Sequence, residues 1–133
     1  MLKKLILALG AMMVLATVSA AAAAEIPVVS TTEVNLRAGP GPSYPVVIDL
    51  PAGAQMVLHG CIAGYSWCDV SWSGNRGWLA SAYMSTIYRN APVAVTAVAA
   101  ARLGVAIVAF DAGYWRRYYF GRPWFPRWRY YRW

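Results

Sequence analysis

The sequence has few of the residues that catalytic and metal sites need. It contains one histidine, His59, two cysteines and five acidic residues among 133. No Ser-His-Asp set, carboxylate pair or phosphate-binding glycine loop is visible. A structural zinc site needs four ligands, and only His59, Cys61 and Cys68 are available. We therefore expect a protein that is not an enzyme and that holds neither a metal nor a cofactor.

Lysine is absent beyond the first four residues, where Lys3 and Lys4 stand before an apolar run. That run covers residues 5–18, about 14 residues, which is the length of a signal-peptide core. It is too short for the 18 or more apolar residues of a transmembrane span. Small residues follow at 22–24, so residues 1–24 are predicted to be a cleavable signal peptide. A cut after Ala20 fits the same rule, and the mature protein is expected to be periplasmic or secreted.

Acidic residues are absent after Asp111, although six of the ten arginines lie there. Residues 112–133 are almost all aromatic, Arg, Gly or Pro, and no aliphatic residue follows Ala112. Rings and guanidinium groups suit stacking and contact with phosphate or carboxylate. In an exported protein the available anions are lipid headgroups and acidic polysaccharides, and we expect no nucleic acid. The candidate anion-binding residues of this tail are Arg116, Arg117, Arg122, Arg127, Arg129, Trp115 and Trp124. In the alternative interpretation, Tyr114 to Trp124 dock on the protein's own aromatic face.

Short alternating apolar runs fill the stretch from Val34 to Met84. Val34 and Leu36 alternate with polar neighbours, as in a half-buried strand. Glycine and proline separate this run from four more of the same kind. The predicted strands cover 34–37, 46–50, 55–62, 65–72 and 78–79, with a 3₁₀ turn at 81–83 and a polar lead-in at 25–32. This pattern is typical of a small all-β barrel.

Four motifs carry a resemblance to a known family. They lie at 34–40, which includes Asn35-x-Arg37-x-Gly39-Pro40, at 51–53, at 67–70, and at 77–84, which includes Gly77-Trp78 and Tyr83. These segments resemble bacterial Src-homology-3-type (SH3-like) domains. The resemblance implies a five-stranded SH3-like barrel over residues 25–88. It also implies a module of envelope proteins and wall hydrolases that usually binds rather than catalyses, with peptidoglycan peptides among its ligands. No catalytic domain accompanies it in this sequence, so a lytic enzyme is not expected.

The two cysteines are predicted to face each other across a hairpin. A two-residue loop at Gly64-Tyr65 would place Cys61 directly opposite Cys68. Their Cβ atoms would then need to move only slightly closer to form a disulfide. An oxidising compartment permits that bond. His59 is expected to have a structural role.

The candidate ligand-binding residues of the barrel follow from strand alternation and from the resemblance. Trp67 and Val70 point to opposite faces of one strand, so Val70 is expected in the core and Trp67 outside. The resemblance places Tyr83 and Tyr44 near Trp67, where such aromatics line a groove for extended peptides. The predicted groove residues are Trp67, Tyr83, Tyr44 and Arg37. Alternatively, the tryptophans of the barrel only fill and cover a small core.

Residues 89–133 form the predicted C-terminal extension. Asn90 as a cap and Pro92 in the first turn predict a short helix over 92–103 that ends at Gly104. Residues 105–110 look like a strand. Residues 93–110 could also be taken as one apolar membrane segment. Arg102 would then lie at its centre and cost about 2.5–3.5 kcal/mol for insertion, so we do not expect a membrane span here.

Together these features predict a non-catalytic, exported binding module of the cell envelope. Peptidoglycan or another wall component is the expected partner. Two alternatives remain open. One is binding of a membrane surface or anionic polymer (lipid or polysaccharide) through the tail, and the other is a protein-partner adaptor or regulator of an envelope enzyme.

Overall fold

The computed structural model describes residues 25–131 and, before them, Gly10, Ala11 and Met13. The predicted signal peptide therefore lies almost entirely outside the described residues, as do the last two residues of the tail, and it stays a prediction. Within the described part of the chain, no helix is long and apolar enough to cross a membrane.

Eight antiparallel strands, counted over the described residues, form one sheet. They are β1 (Ile26–Ser30), β2 (Val34–Arg37), β3 (Val46–Leu50), β4 (Gln55–Cys61), β5 (Trp67–Trp72), β6 (Asn75–Ala80), β7 (Met84–Tyr88) and β8 (Ala91–Ala94). Their order in the sheet is β3-β2-β6-β5-β4-β1-β7-β8, so β3 and β8 are its edges. The five predicted strands correspond to β2–β6. They belong to a larger, open sheet, and this corrects the expected five-stranded barrel.

Strand β1 replaces the expected polar lead-in. Ile26, Val28 and Ser30 are buried and alternate with exposed neighbours, the period of two that a half-buried strand requires. β1 pairs with β4 on one side and with β7 on the other. It therefore joins the β7–β8 hairpin to the rest of the sheet.

Two tight turns whose residues have positive φ form the β5–β6 and β7–β8 hairpins. Ser73 and Gly74 (φ 47° and 79°) join β5 to β6, and Arg89 and Asn90 (φ 49° and 65°) join β7 to β8. Paired left-handed residues give the twist that a two-residue hairpin needs, and Asn tolerates that conformation. The prediction of a helix cap at Asn90 is therefore wrong.

Helix α1 (Ala97–Arg102) is shorter than the predicted helix. Its cap is Thr96, whose Oγ1 accepts a hydrogen bond from the backbone N–H of Ala99 at 3.2 Å. It ends before Gly104, whose φ of 72° gives the expected C-terminal stop.

The main core lies on one face of the sheet. The strands contribute Leu36, Leu50, Leu58, Val70, Leu79 and Met84 to it, each at 1% exposure or less, while Trp78 of β6 is equally buried on the opposite face. Val70 is fully buried, whereas Trp67, three positions earlier on β5, is half-buried on the opposite face. Strand alternation therefore placed both side chains correctly.

The predicted disulfide between Cys61 and Cys68 is confirmed. The two residues pair across β4 and β5, with 3.9 Å between their Cα atoms and a bonded S–S distance of 2.05 Å. The loop between them is wider than expected, because the N–H of Tyr65 donates to the carbonyl of Ile62 at 2.9 Å. The register is unaffected, since the N–H of Ile62 donates to the carbonyl of Trp67 at 3.0 Å.

Residues 105–110 form no strand of their own, which corrects the strand prediction. Instead they run beside the end of β4, where Cys61 N–H donates to the carbonyl of Ala106 at 2.9 Å and Val108 N–H donates to the carbonyl of Cys61 at 2.8 Å. Gly60 permits this approach. A Cβ there would lie 2.5 Å from Val108 Cγ1 and 2.9 Å from the Ala106 carbonyl oxygen.

The rest of the extension is helical and docked. It contains α2 (Ala112–Tyr119), a 3₁₀ turn at Phe125–Arg127 and α3 (Trp128–Tyr131). Asp111 caps α2, because its Oδ1 accepts a hydrogen bond from Tyr114 N–H at 2.9 Å. Aromatic residues of this segment pack against the core, as the docking alternative expected.

Gly60→Ala tests the contact between β4 and the extension. We expect the free energy of unfolding to fall by about 1–3 kcal/mol, the cost of an added methyl group in a tightly packed site. Chemical denaturation would measure it. Gly41→Ala is the control, since a Cβ there would lie 3.4 Å from the Tyr44 ring, an ordinary contact. Equal effects of the two substitutions would contradict the tight packing at Gly60.

Candidate functional site

Trp67, Tyr83 and Arg37 line one groove of about 460 Å³. Trp67 begins β5, Arg37 ends β2, and Tyr83 ends the 3₁₀ turn at Ser81–Tyr83. Trp67 and Arg37 are half-buried, and Tyr83 is 45% exposed. Three of the four groove residues predicted from the sequence therefore meet at one place.

Strand pairing and one hydrogen bond position these side chains. Trp67 is paired with Ala80 across β5 and β6, and the small alanine side chain leaves the neighbouring indole accessible. Arg37 Nη1 donates to the carbonyl oxygen of Tyr44 at 2.9 Å, which ties the guanidinium to the loop between β2 and β3. Glu33 also lines the groove, so the groove presents both an anionic and a cationic side chain.

Tyr44 does not line the groove, so the prediction that it is a groove residue is wrong. It is only 8% exposed. Its ring lies against Gly39 and contacts the rings of Phe110 and Tyr131, with centroids 5.3 and 6.1 Å away. Tyr44 therefore packs against the extension and does not line the groove.

The outer face, defined here as the face of β5 and β6 that bears Trp67, Asp69 and Trp78, receives the extension. Asp69 is 3% exposed. Arg76 Nε donates to its Oδ1 at 2.7 Å and Arg76 Nη2 to its Oδ2 at 2.6 Å. Tyr114 Oη of α2 also donates to Oδ1, at 2.7 Å. Burial of a carboxylate is costly unless it is paired and hydrogen-bonded, and these three bonds meet that requirement.

Aromatic packing completes the docking of α2. Trp78 is fully buried beneath Phe110 and Tyr114, whose ring centroids are each 5.5 Å away. Tyr119 Oη donates to the carbonyl oxygen of Arg76 at 3.2 Å. The groove at Trp67 is lined only by residues up to Tyr83. The extension therefore covers the middle of the outer face and leaves the groove open.

The pKa values of this interface follow from its burial. Burial raises the pKa of both Tyr114 and Tyr119 above the usual value, and the nearby Asp69 carboxylate raises both further. Burial acts to lower the pKa of Arg76, but the hydrogen bond and charge of Asp69 outweigh that effect and the pKa is raised. The interface thus keeps both phenols neutral and the guanidinium charged.

His59 has the structural surroundings expected of it. Its Nε2 lies 2.9 Å from Ser71 Oγ, and its Nδ1 lies 3.6 Å from a carboxylate oxygen of Glu25. Burial lowers its pKa, and the charge of Arg76 lowers it further. No cluster of three or more His, Cys, Asp and Glu suited to a metal ion occurs in the part of the chain that the structure describes.

The predicted anion-binding residues of the tail separate into exposed and interior groups. Arg116, Arg117, Arg127 and Arg129 are exposed, and Arg122 is half-buried over the ring of Trp124 at 5.8 Å. Trp115 is only 2% exposed. Its indole Nε1 donates to the carbonyl of Phe125 at 2.9 Å, so Trp115 supports the extension from inside. Sequence reasoning omitted Phe120 and Tyr130, which are 82% and 83% exposed.

Tyr114→Phe isolates the hydrogen bond that the extension makes to Asp69. The ring is kept and one bond to a buried carboxylate is lost, so we expect the free energy of unfolding to fall by about 1–3 kcal/mol. Tyr118→Phe is the control. Its ring contact with Arg76 (4.7 Å) does not need the hydroxyl, and a change below about 0.5 kcal/mol is expected. If denaturant titrations showed equal losses in the free energy of unfolding for the two variants, the hydrogen bond to Asp69 would have no special role.

Alkaline pH should weaken the same interface. The pKa of Tyr114 and Tyr119 is raised in the folded state, whereas unfolded tyrosine loses its proton near pH 10. The contribution of the two tyrosines to the free energy of unfolding is therefore complete below about pH 10 and declines as the pH rises above it. In the double variant Tyr114→Phe/Tyr119→Phe, the free energy of unfolding should fall less steeply between about pH 9 and 11. If the free energy of unfolding of variant and parent fell with pH at the same slope, this assignment would be refuted.

Comparison with known proteins locates part of this architecture in a family. A family model described as the bacterial SH3 domain matches residues 32–85, from just before β2 to the start of β7. A curated protein of Bacillus subtilis (strain 168), the uncharacterized protein YraJ, is 31% identical over 70 residues. That region is 44% of this chain and 58% of YraJ, so the match spans little more than half of the relative. No solved structure matches. The groove residues Arg37, Trp67 and Tyr83 lie inside the family match and the extension lies outside it, so the resemblance to the bacterial SH3 domain is confirmed for residues 32–85.

Proposed function

We propose that this protein is a non-catalytic binding module of the cell envelope that holds a wall peptide in its groove. Bacterial SH3 domains are typically binding modules and are often associated with the cell wall. The observation that carries the proposal is the convergence of Trp67, Tyr83 and Arg37 on one open groove.

The chemistry of the groove suits a short peptide with free charged groups. Partly exposed indole and phenol rings give apolar contact area at low cost in side-chain entropy. The guanidinium of Arg37 can donate hydrogen bonds to a carboxylate of the ligand, and the carboxylate of Glu33 can accept hydrogen bonds from an ammonium group. A volume of about 460 Å³ falls within the usual range for small ligands, enough for a few residues of an extended wall peptide.

An envelope location also agrees with the cysteine chemistry. The Cys61–Cys68 bond needs an oxidising compartment to form and persist. Together with the predicted signal peptide, it supports a protein that acts in the periplasm or outside the cell. A role as an adaptor or regulator of an envelope enzyme stays a prediction, without a specific contact in favour of it.

Trp67→Ala and Val70→Ala separate ligand binding from stability. We expect Trp67→Ala to weaken binding to purified wall sacculi tenfold or more, as for an aromatic contact worth over about 1.4 kcal/mol. Val70→Ala should instead lower the free energy of unfolding by about 1–3 kcal/mol, because it leaves a cavity in the core. Co-sedimentation and thermal melts would measure the two effects.

Tyr83→Ala extends the test to the far side of the groove, with Tyr88→Ala as the matched control. Tyr88 is a half-buried tyrosine of β7 that does not line the groove. Wall binding should fall for Tyr83→Ala and persist for Tyr88→Ala. Folded Trp67→Ala and Tyr83→Ala variants that bind sacculi as tightly as the parent would exclude this groove as the binding site.

A further inference from the structure

The C-terminal extension has a cavity of its own, distinct from the groove. It measures about 370 Å³ and lies between α2 and α3. Trp115 and Phe125 contribute aromatic surface, and Arg116, Arg129 and Tyr130 also line it. The cavity therefore combines two guanidinium groups with aromatic walls.

Arg116 and Arg129 form no ion pair among the residues that the structure describes. Arg116 and Arg129 are exposed, and the sequence contains no acid after Asp111. The ion pairs seen among the described residues join Arg76 to Asp69 and His59 to Glu25. The cavity is thus a concentrated positive site with its charge available to a ligand.

Two strongly exposed aromatic rings flank the cavity. Phe120 is 82% exposed and Tyr130 is 83% exposed. Phe120 directly follows α2, which ends at Tyr119. Its ring centroid lies 5.5 Å from that of Phe125, a cavity residue. The arginines and exposed rings therefore form one continuous surface, named here the extension surface and made of Arg116, Phe120, Phe125, Arg129 and Tyr130.

The extension surface is preformed. Trp115, at 2% exposure, stacks on Phe125 with centroids 6.4 Å apart and an interplanar angle of 20°. It also donates a 2.9 Å hydrogen bond to the Phe125 carbonyl. The hydrogen bond from Tyr114, the residue before Trp115, to Asp69 holds the same part of α2 against the sheet. A partner would therefore meet a folded backbone that already brings the segments carrying these arginines and rings together.

We propose that the extension surface binds the headgroup region of an anionic lipid bilayer. Arginine contacts phosphate well, and aromatic side chains favour the membrane interface. A soluble anion could use the arginines, but it would leave the rings of Phe120 and Tyr130 in water. A bilayer satisfies both halves of the surface, since phosphates meet the arginines while the rings enter the interfacial layer. This surface is separate from the groove and adds a second partner to the protein.

Arg116→Gln/Arg129→Gln tests the charged half. The test uses the chain from Glu25 onward, which carries every strand and helix described above, and vesicles of phosphatidylglycerol and phosphatidylcholine mixed equally. Each basic residue at an anionic bilayer contributes about fivefold in affinity, so the double variant should bind about 30-fold more weakly. Arg89→Gln/Arg102→Gln removes the same charge from exposed positions elsewhere and should cost less than about threefold. Equal losses for the two pairs would overturn a localised surface.

Phe120→Ser tests the aromatic half, and Ile87→Ser is its control, because Ile87 is 67% exposed on β7. Vesicle binding should fall for Phe120→Ser, remain for Ile87→Ser, and persist in Trp67→Ala. Unchanged vesicle binding by a folded Phe120→Ser variant, or equal affinity for pure phosphatidylcholine vesicles, would overturn the proposal. So would an equally tight, Phe120-independent complex with a soluble acidic polysaccharide, which would identify a polymer site instead.

Discussion

The carboxylate of Asp69 lies buried between the sheet and the C-terminal extension, and its charge has to be satisfied there. Arg76, from the neighbouring strand, donates two hydrogen bonds to this carboxylate. Tyr114, which lies 45 residues after Asp69 in the sequence, donates the third. Because Tyr114 is part of α2, this bond fixes where the extension packs. The burial of Trp78 and the packing of Tyr44 against the extension depend on the same placement.

Docking of the extension divides the protein into regions with different chemistry. The groove with Trp67 and Tyr83 stays open at one end of the outer face, while the middle is closed by α2. The extension presents exposed arginines that form no ion pair among the described residues, together with rings exposed to water. The region that matches the bacterial SH3 domain and the extension thus carry the two surfaces that we propose for a wall peptide and for an anionic bilayer.

Strand alternation was the strongest signal in the sequence. It predicted β2 to β5 nearly to the residue and the opposite orientation of Trp67 and Val70. The register that brings Cys61 to Cys68 was predicted from the assumed hairpin loop at Gly64-Tyr65. Other features depend on contacts between distant residues. β1 was missed because the Ile26–Val28 alternation is short and becomes a strand only through its pairing with β4 and β7. Asn90 suits both a helix cap and a left-handed turn, and only the pairing of β7 with β8 selects the turn. Similarly, nothing local to Tyr114 indicates that its hydroxyl meets Asp69, and nothing near Tyr44 indicates that Phe110 covers it.

The central claim is that the extension is part of one cooperative folded unit with the sheet. Native-state hydrogen exchange tests it most directly, through the amide of Trp115, which donates to Asp111 at the start of α2, and the amides that join β5 to β6. One cooperative unit predicts that these amides exchange with the same opening free energy and lose protection together in denaturant. Exchange of the Trp115 amide with an opening free energy several kcal/mol below that of the β5–β6 amides would contradict the account, because α2 would then detach while the sheet stays folded.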